Sequence, residues 1–140
     1  MQHIYTVQIK AAERWCSILT GRYICDHPGY IDITVGSGNK LFAPTWPMAH
    51  GVKNGSVSKE SYTSQYLGII NDVITNHSSE WFALVTKPVI ILGCYCRPGA
   101  FCHRYILKDI IIEDVNLMCE NQGQLPISKY MGEITKDIEL

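Results

Sequence analysis

The chain has 140 residues, 46% of them hydrophobic and 18% charged, and a formal net charge of -1 at pH 7. A chain of this length can bury a core of its own, so we expect one domain over residues 1–140. The near-neutral charge excludes a general attraction to nucleic acid or anionic lipid, and nucleic-acid contact would need a local patch. No apolar run approaches the roughly 20 residues of a membrane span, and the first residues lack the pattern of a signal peptide.

The chain contains six cysteines. It is rich enough in core-forming residues to fold without a disulfide framework, and the C-x-C spacing is a poor local disulfide. Free thiols in a reducing compartment are therefore the better interpretation. We expect a cytoplasmic protein, in the host cytoplasm if a bacteriophage encodes it, with no membrane contact.

The amino-terminal half predicts strands that alternate with short connections. Apolar alternation predicts a strand over His3–Ile9, and a second over Tyr30–Val35. Between them, Ala11–Leu19 can form a short helix. Leu41–His50 contains two prolines, and we predict an ordered loop with at most one helical turn.

The clearest helix of the chain follows this loop. Ser58 is a predicted N-cap, and apolar residues repeat at helical spacing over Lys59–Asn76. The continuous apolar run Pro88–Cys94 is typical of a strand buried in a parallel sheet. The remaining predicted elements are a short helix over Ser78–Leu84, a helix over His103–Val115 and an edge strand plus loop within Gln124–Ile134. The order of elements predicts one α/β domain of three layers, with helices on both sides of a small, mostly parallel sheet.

One dense cluster of reactive side chains links a predicted strand to a predicted helix. The stretch Gly93–Arg104 reads G-C-Y-C-R-P-G-A-F-C-H-R. Ligands of open α/β sheets bind beyond the carboxyl ends of the strands, and a helix N-terminus favours anions and thiolates. Cys102 and His103 would lie at that helix start, while Arg97 and Arg104 supply fixed positive charge.

Three functional interpretations of this cluster compete. The first is a phosphatase cradle, which needs a C-x₅-R pattern so that one loop can wrap the phosphate. The position of that cysteine is occupied by Pro98 for Arg104 and by Ile91 for Arg97, so the pattern is absent. A looser thiol-transfer loop remains open, with Cys96 or Cys102 as the nucleophile. A ligand pocket in which His103 and Arg104 bind an anion without covalent chemistry is the second interpretation.

A metal site is the third interpretation. Its ligands would come from the cluster and from the C-D-H segment, namely Cys94, Cys96, Cys102, His103, Cys25 and His27. These spacings differ from the C-x₂-C pairs of ordinary zinc sites, and adjacent helical residues diverge. We therefore assign no metal ligand. The structural alternative is that Cys94 is a small buried residue at a strand end.

The sequence also resembles the domain-of-unknown-function 488 family of bacterial and bacteriophage proteins. The motif C-Y-C-R-P-G-A-F-C-H-R resembles the carboxyl-terminal signature of that family. The segments I-D-I-T-V-G-S-G-N-K-L-F-A-P-T-W, S-K-E-S-Y-T-S-Q-Y-L and Y-M-G-E-I are similar to its other elements, and the resemblance covers Ile31–Ile134. It implies a Rossmann-like fold and a pocket lined by the C-H-R and F-A-P-T-W loops. It implies no reaction, and the sequence leaves any cofactor unknown. Cys25 and Cys119 lie outside the signature.

The resemblance extends the candidate site to an aromatic loop. Residues able to stack on or bind a flat, anionic ligand are Phe42, Pro44, Thr45, Trp46 and Lys53. The leading hypothesis is an enzyme acting on a nucleotide, a nucleobase or a nucleic-acid end, with Cys102 as nucleophile, His103 as acid/base and Arg104 as anion clamp. Asp32 is a candidate to orient the histidine. The alternatives are a non-catalytic nucleotide- or partner-binding protein and a metal-stabilised cysteine cluster.

Overall fold

A four-stranded sheet forms the centre of the molecule. In the computed structural model, which describes residues 1–123 and 127–140, the strand order is β2-β3-β1-β4 and every pairing is parallel. The strands are β1 (Gln2–Gln8), β2 (Tyr30–Asp32), β3 (Val89–Cys94) and β4 (Ser128–Ile134). This confirms the small, mostly parallel sheet, and β4 lies at its edge as predicted.

Helices cover both faces of the sheet. They are α1 (Ile9–Arg14), α2 (Trp46–Asn54), α3 (Lys59–Asn76), α4 (Ser78–Val85) and α5 (His103–Asn121), with a short 3₁₀ turn at Ile24–Asp26. The fold is a small Rossmann-like α/β domain of three layers, as predicted. No helix within the described ranges is long and apolar enough to cross a bilayer.

Alternation along the central strands creates two cores. Ile4 of β1 and Ile90 of β3 belong to the larger core, which packs against α2 to α5. Tyr5 and Val7 of β1 and Ile91 of β3 belong to the smaller core, beneath α1 and the 3₁₀ turn. β3 lies between β1 and β2 and is buried on both faces, which explains its continuous apolar sequence.

The β1–β4 ladder contains one irregularity. Ile4 pairs with Tyr130, but the next residue, Tyr5, pairs with Gly132, so Met131 has no partner in β1. Gly132 has a φ of 112°, which is accessible to glycine and strained for other residues. The ladder therefore contains a β-bulge at Met131.

The helix predictions agree best where apolar spacing is regular. α3 has the predicted bounds, and the Ser58 hydroxyl accepts a hydrogen bond from the Ser61 amide at 3.0 Å. The predicted helix over Ala11–Leu19 begins earlier and ends at Arg14, because Cys16 and Ser17 form bridges to Tyr23 and Ile138 instead. α5 continues past the predicted Val115 to Asn121.

Two segments near the predicted site differ from expectation. The strand from Tyr30 ends at Asp32, whose carboxylate accepts hydrogen bonds from the Thr34 amide and hydroxyl and so turns the chain. The predicted loop 41–50 becomes helical at Trp46, because the Thr45 hydroxyl accepts a hydrogen bond from the Met48 amide and Pro47 suits the first turn. The first residues of the predicted segment Gln124–Ile134, 124–126, lie outside the described residues.

Candidate functional site

Three cysteine thiols converge where β3 meets α5. Cys94 is the last residue of β3, Cys96 lies in the following loop and Cys102 is the N-cap residue of α5. The three sulfur atoms lie within 4.8 Å of one another, and the Cys94 and Cys96 sulfurs are 3.9 Å apart. Cys94 and Cys102 are buried, whereas Cys96 is partly exposed. A reagent entering from solvent therefore meets Cys96 first.

The His103 imidazole lies behind the thiols in a defined orientation. Its Nε2 is hydrogen-bonded to the Ile33 carbonyl. A carbonyl can only accept, so Nε2 carries the proton and Nδ1 is free to accept. Nδ1 lies 3.7 Å from the Cys102 sulfur, and burial lowers the pKa of His103. The histidine is thus a neutral base directed at Cys102.

Arg104 is an interior residue, and its guanidinium is fully buried. Nη2 forms an ion pair with Glu133 at 3.2 Å and also donates to the Arg97 carbonyl at 3.2 Å. Nη1 donates to the Cys102 sulfur at 3.4 Å. The structure therefore does not present Arg104 as a clamp for an external anion; it places the positive charge behind the thiols.

Glu133 on β4 completes this interior network. Its carboxylate accepts hydrogen bonds from the Thr6 hydroxyl at 2.6 Å and the Tyr105 hydroxyl at 2.9 Å, besides the ion pair with Arg104. Sequence reasoning missed Glu133, because the only local signal is an acidic residue in an edge strand. Its two oxygens accept from Nε and Nη2 of Arg104 and so orient the guanidinium.

The thiols of Cys96 and Cys102 have pKa values that are shifted in opposite directions. Hydrogen bonds from Cys102 and Cys94, followed by the positive charge of Arg104, hold the pKa of Cys96 well below its usual range. The hydrogen bonds with Cys94 and Cys96, together with burial, raise the pKa of Cys102. The cluster therefore favours one thiolate, on Cys96, with the neighbouring thiols as donors.

The exposed side of Cys96 faces a cavity of about 170 Å³. Its walls are mainly apolar, and its lining includes Pro44, Val52, Lys53, Tyr62, Phe101 and the three thiols with His103. The rings of Tyr62 and Phe101 meet edge to face, with centroids 5.2 Å apart. An apolar cavity of about 150 Å³ accommodates benzene, so this cavity is the size of a single six-membered ring.

The cavity brings together only part of the predicted site. Pro44, Lys53, Cys96, Cys102 and His103 line it. Tyr62 and Phe101 also line it but were not among the predicted site residues. The available signal was positional, since Tyr62 is on the apolar face of α3 and Phe101 precedes the C-H-R triplet.

The other predicted site residues have different surroundings. Phe42 is buried in the larger core against Trp81, with ring centroids 6.4 Å apart. Trp46 is exposed and stacks on His50. Thr45 caps α2, and Asp32 shapes its own turn through Thr34 and Ser37. The aromatic loop therefore contributes Pro44 to the cavity rather than a stacking pair of rings.

Arg97 was also a predicted ligand-binding residue. Its side chain is exposed in the loop after β3, and its carbonyl accepts the Arg104 hydrogen bond. It does not line the cavity around Cys96.

Within residues 1–123 and 127–140, the three thiols are the one His/Cys/Asp/Glu group compact enough to hold a metal ion. A tetrahedral site with Zn–S bonds of about 2.3 Å places sulfurs about 3.8 Å apart, close to the 3.9 Å between Cys94 and Cys96. Cys25 packs with the smaller core, on the other face of the sheet, and the His27 ring accepts from the Gly29 amide. Those two residues therefore do not complete a cluster with the thiols.

Comparison of the chain with protein-family models, with curated proteins and with solved structures gave no match.

Proposed function

We propose that this protein is a thiol-dependent enzyme that acts on a nucleobase-sized ring compound, such as a nucleobase or the base of a nucleotide. One observation carries the proposal: three thiols and an oriented histidine converge on a ring-sized, mainly apolar cavity. Nucleophilic cysteines are activated by an adjacent base or a neighbouring positive charge. Here the positive charge of Arg104 lowers the pKa of Cys96, and His103 and Arg104 both contact Cys102, the thiol that donates to Cys96.

The chemistry of the cavity favours a flat ligand with a polar or anionic edge. The walls contributed by Pro44, Tyr62 and Phe101 suit the faces of a ring, and Lys53 supplies the positive charge. Ligand sites commonly combine apolar walls with a few placed polar groups. A complete nucleotide exceeds the cavity, so its sugar and phosphates would extend out of it.

The proposed reaction is a substitution through a covalent intermediate. The Cys96 thiolate donates an electron pair to an electrophilic ring carbon, forming a C–S bond. The bond to the leaving group breaks with its electron pair, and the leaving group takes the Cys102 proton. Water then attacks the same carbon, the C–S electron pair returns to Cys96, and His103 Nδ1 passes the proton released by water back to Cys102. The net reaction is a hydrolysis, and no oxidant or reductant is consumed.

Alkylation tests the assignment of the nucleophile. Limited iodoacetamide treatment at pH 6, followed by peptide mass spectrometry, should modify Cys96 before the other five cysteines. Cys96→Ser should abolish the fast phase, while Cys119→Ala, which removes a thiol buried in the larger core, should preserve it. Equal and slow modification of all six thiols would contradict the proposal.

A thermal-shift screen with nucleobases, nucleosides and nucleotides tests the ligand class. A ligand present at about 100 times its Kd adds about 2.7 kcal/mol to the free energy of unfolding. Stabilisation that persists in Cys96→Ser without any turnover in the wild type would instead support the non-catalytic binding protein.

A soft-metal site is a second candidate function, favoured by the compactness of the three sulfurs. Elemental analysis of protein purified without chelators tests it. One equivalent of zinc that is lost in Cys94→Ser would support this candidate over the thiol enzyme, while substoichiometric metal would remove it. We place the protein in the cytoplasm, where cysteines stay reduced.

A further inference from the structure

We infer that a positively charged groove beside the loop of residues 95–102 (the thiol loop) binds the phosphates of a single-stranded nucleic acid whose terminal base enters the ring-sized cavity. This inference rests on the proposed function and specifies its substrate class. The groove has a volume of about 280 Å³, and its lining includes Gln8, Lys10, Arg14, Trp15, Pro98 and Ile134. It lies on the side of the sheet occupied by α1.

The groove and the cavity open at the same edge of the sheet. Gln8 and Ile134 are the last residues of β1 and β4, and both line the groove. Cys94, the last residue of β3, lines the cavity. Ligands of parallel sheets bind beyond this edge. One ligand lying along the edge could therefore occupy both.

The thiol loop separates the two spaces by a short distance. Cys96 lines the cavity, and Pro98, two residues later, lines the groove. Two residues span at most about 7 Å. The Gln8 side-chain amide also donates to the Tyr95 carbonyl at 3.1 Å, which ties the end of β1 to this loop. The spacing suits a base in the cavity with its chain continuing into the groove.

The charge of the groove suits phosphate. Lys10 and Arg14 are exposed on α1, and neither forms an ion pair with any residue that the structure describes. No described carboxylate lines the groove, since Glu13 of the same helix lies outside the lining. The chain as a whole has a net charge of -1, so these cations form a local patch.

Aromatic rings line both the groove and the cavity. In the groove, the Arg14 guanidinium lies 4.8 Å from the centre of the Trp15 ring, and Tyr95, which lines the cavity, is 55% exposed. Proteins that bind single strands combine a cationic groove with aromatic rings on which bases stack. This combination favours a strand over an isolated phosphate ion.

Fluorescence anisotropy with a labelled single-stranded DNA of about ten nucleotides tests the inference. Each phosphate contact on a single strand contributes about -0.7 to the slope of log affinity against log salt. The double variant Lys10→Gln/Arg14→Gln should therefore reduce the slope by about 1.4. A control of equal charge change, Lys40→Gln/Lys129→Gln, alters exposed lysines outside the groove lining and should leave the slope unchanged.

An equal reduction of the salt slope in both double variants would overturn the inference, and so would the absence of strand binding by the wild-type protein. So would a 5′-mononucleotide that competes as well, at equal molar concentration, as the strand. Alkylation of Cys96 in the groove variant separates this result from the proposed function, because the thiol cluster is intact there. Fast alkylation with no strand binding rejects the groove alone, and strand binding with slow alkylation rejects the thiol enzyme alone.

Discussion

Replacement of Glu133 by Gln tests the ion pair behind the thiols. The substitution keeps the shape of the side chain but removes the negative charge beside Arg104. The Arg104 side chain is 0% exposed and that of Glu133 is 13% exposed, so the guanidinium would remain buried without a counter-charge. Removing one member of a buried ion pair costs about 3–5 kcal/mol.

The contacts of Glu133 place the expected loss at the low end of that range. The Gln oxygen can still accept hydrogen bonds from Thr6 and Tyr105, which now contact Oε1 of Glu133. We therefore expect Glu133→Gln to lower the free energy of unfolding by about 3 kcal/mol. For a chain of this size that corresponds to a fall in Tm of about 6–12 °C.

Urea unfolding followed by tryptophan fluorescence measures this loss. Asp109→Asn is the matched control, because Asp109 pairs with Lys108 at the surface with 70% of its side chain exposed. Exposed pairs contribute about 0–1 kcal/mol. The double variant Arg104→Met/Glu133→Met should recover much of the lost stability, since replacing a whole buried pair with apolar side chains is often neutral.

A loss below about 1 kcal/mol in Glu133→Gln, equal to that of Asp109→Asn, would refute the account of Arg104 as a buried charge. Failure of the double methionine variant to recover stability would instead assign the loss to packing.

Three further predictions concern the core and the site. Tyr66→Phe should lower the free energy of unfolding, measured in urea, by about 1–3 kcal/mol, because the buried Tyr66 hydroxyl donates to the Phe42 carbonyl at 2.7 Å. An unchanged free energy of unfolding would contradict that hydrogen bond. Burial lowers the pKa of His103, so the unfolded chain takes up the proton more readily, and stability should fall as pH drops below about 6.5. His103→Gln should flatten this fall, and an unchanged profile would assign it to other groups. Since the pKa of Cys96 is held low, its alkylation rate should stay level from pH 8 to pH 6, whereas an ordinary thiol slows about tenfold per pH unit.

The sequence predicted the elements whose signals are local. The helical spacing of α3 and the apolar run of β3 depend on the periodicity of each segment, and the structure has both. α2 was missed because the prolines around Thr45 indicate a loop, although Pro47 in the first turn is compatible with a helix.

The candidate site depends on contacts between distant segments, and sequence spacing could not supply them. C-x-C spacing differs from that of ordinary zinc sites, yet the loop between Cys96 and Cys102 folds back and brings their sulfurs close to that of Cys94. Arg104 was expected to face a ligand because free arginine suits anions. Its true partner, Glu133, lies 29 residues away along the chain, and local pattern does not indicate such pairs.

The bulge at Met131 determines which face of the sheet receives the Glu133 carboxylate. In a regular ladder continued from the Ile4–Tyr130 pair, Glu133 would lie beside Val7 and point into the smaller, apolar core. The one unpaired residue shifts the alternation, so Glu133 lies beside Thr6 and reaches Arg104. A one-residue change of register reverses the facing of every later side chain. The electrostatics behind the thiols thus depend on backbone geometry two strands away, at Gly132, and a bulkier residue there would act on Cys102 without touching it.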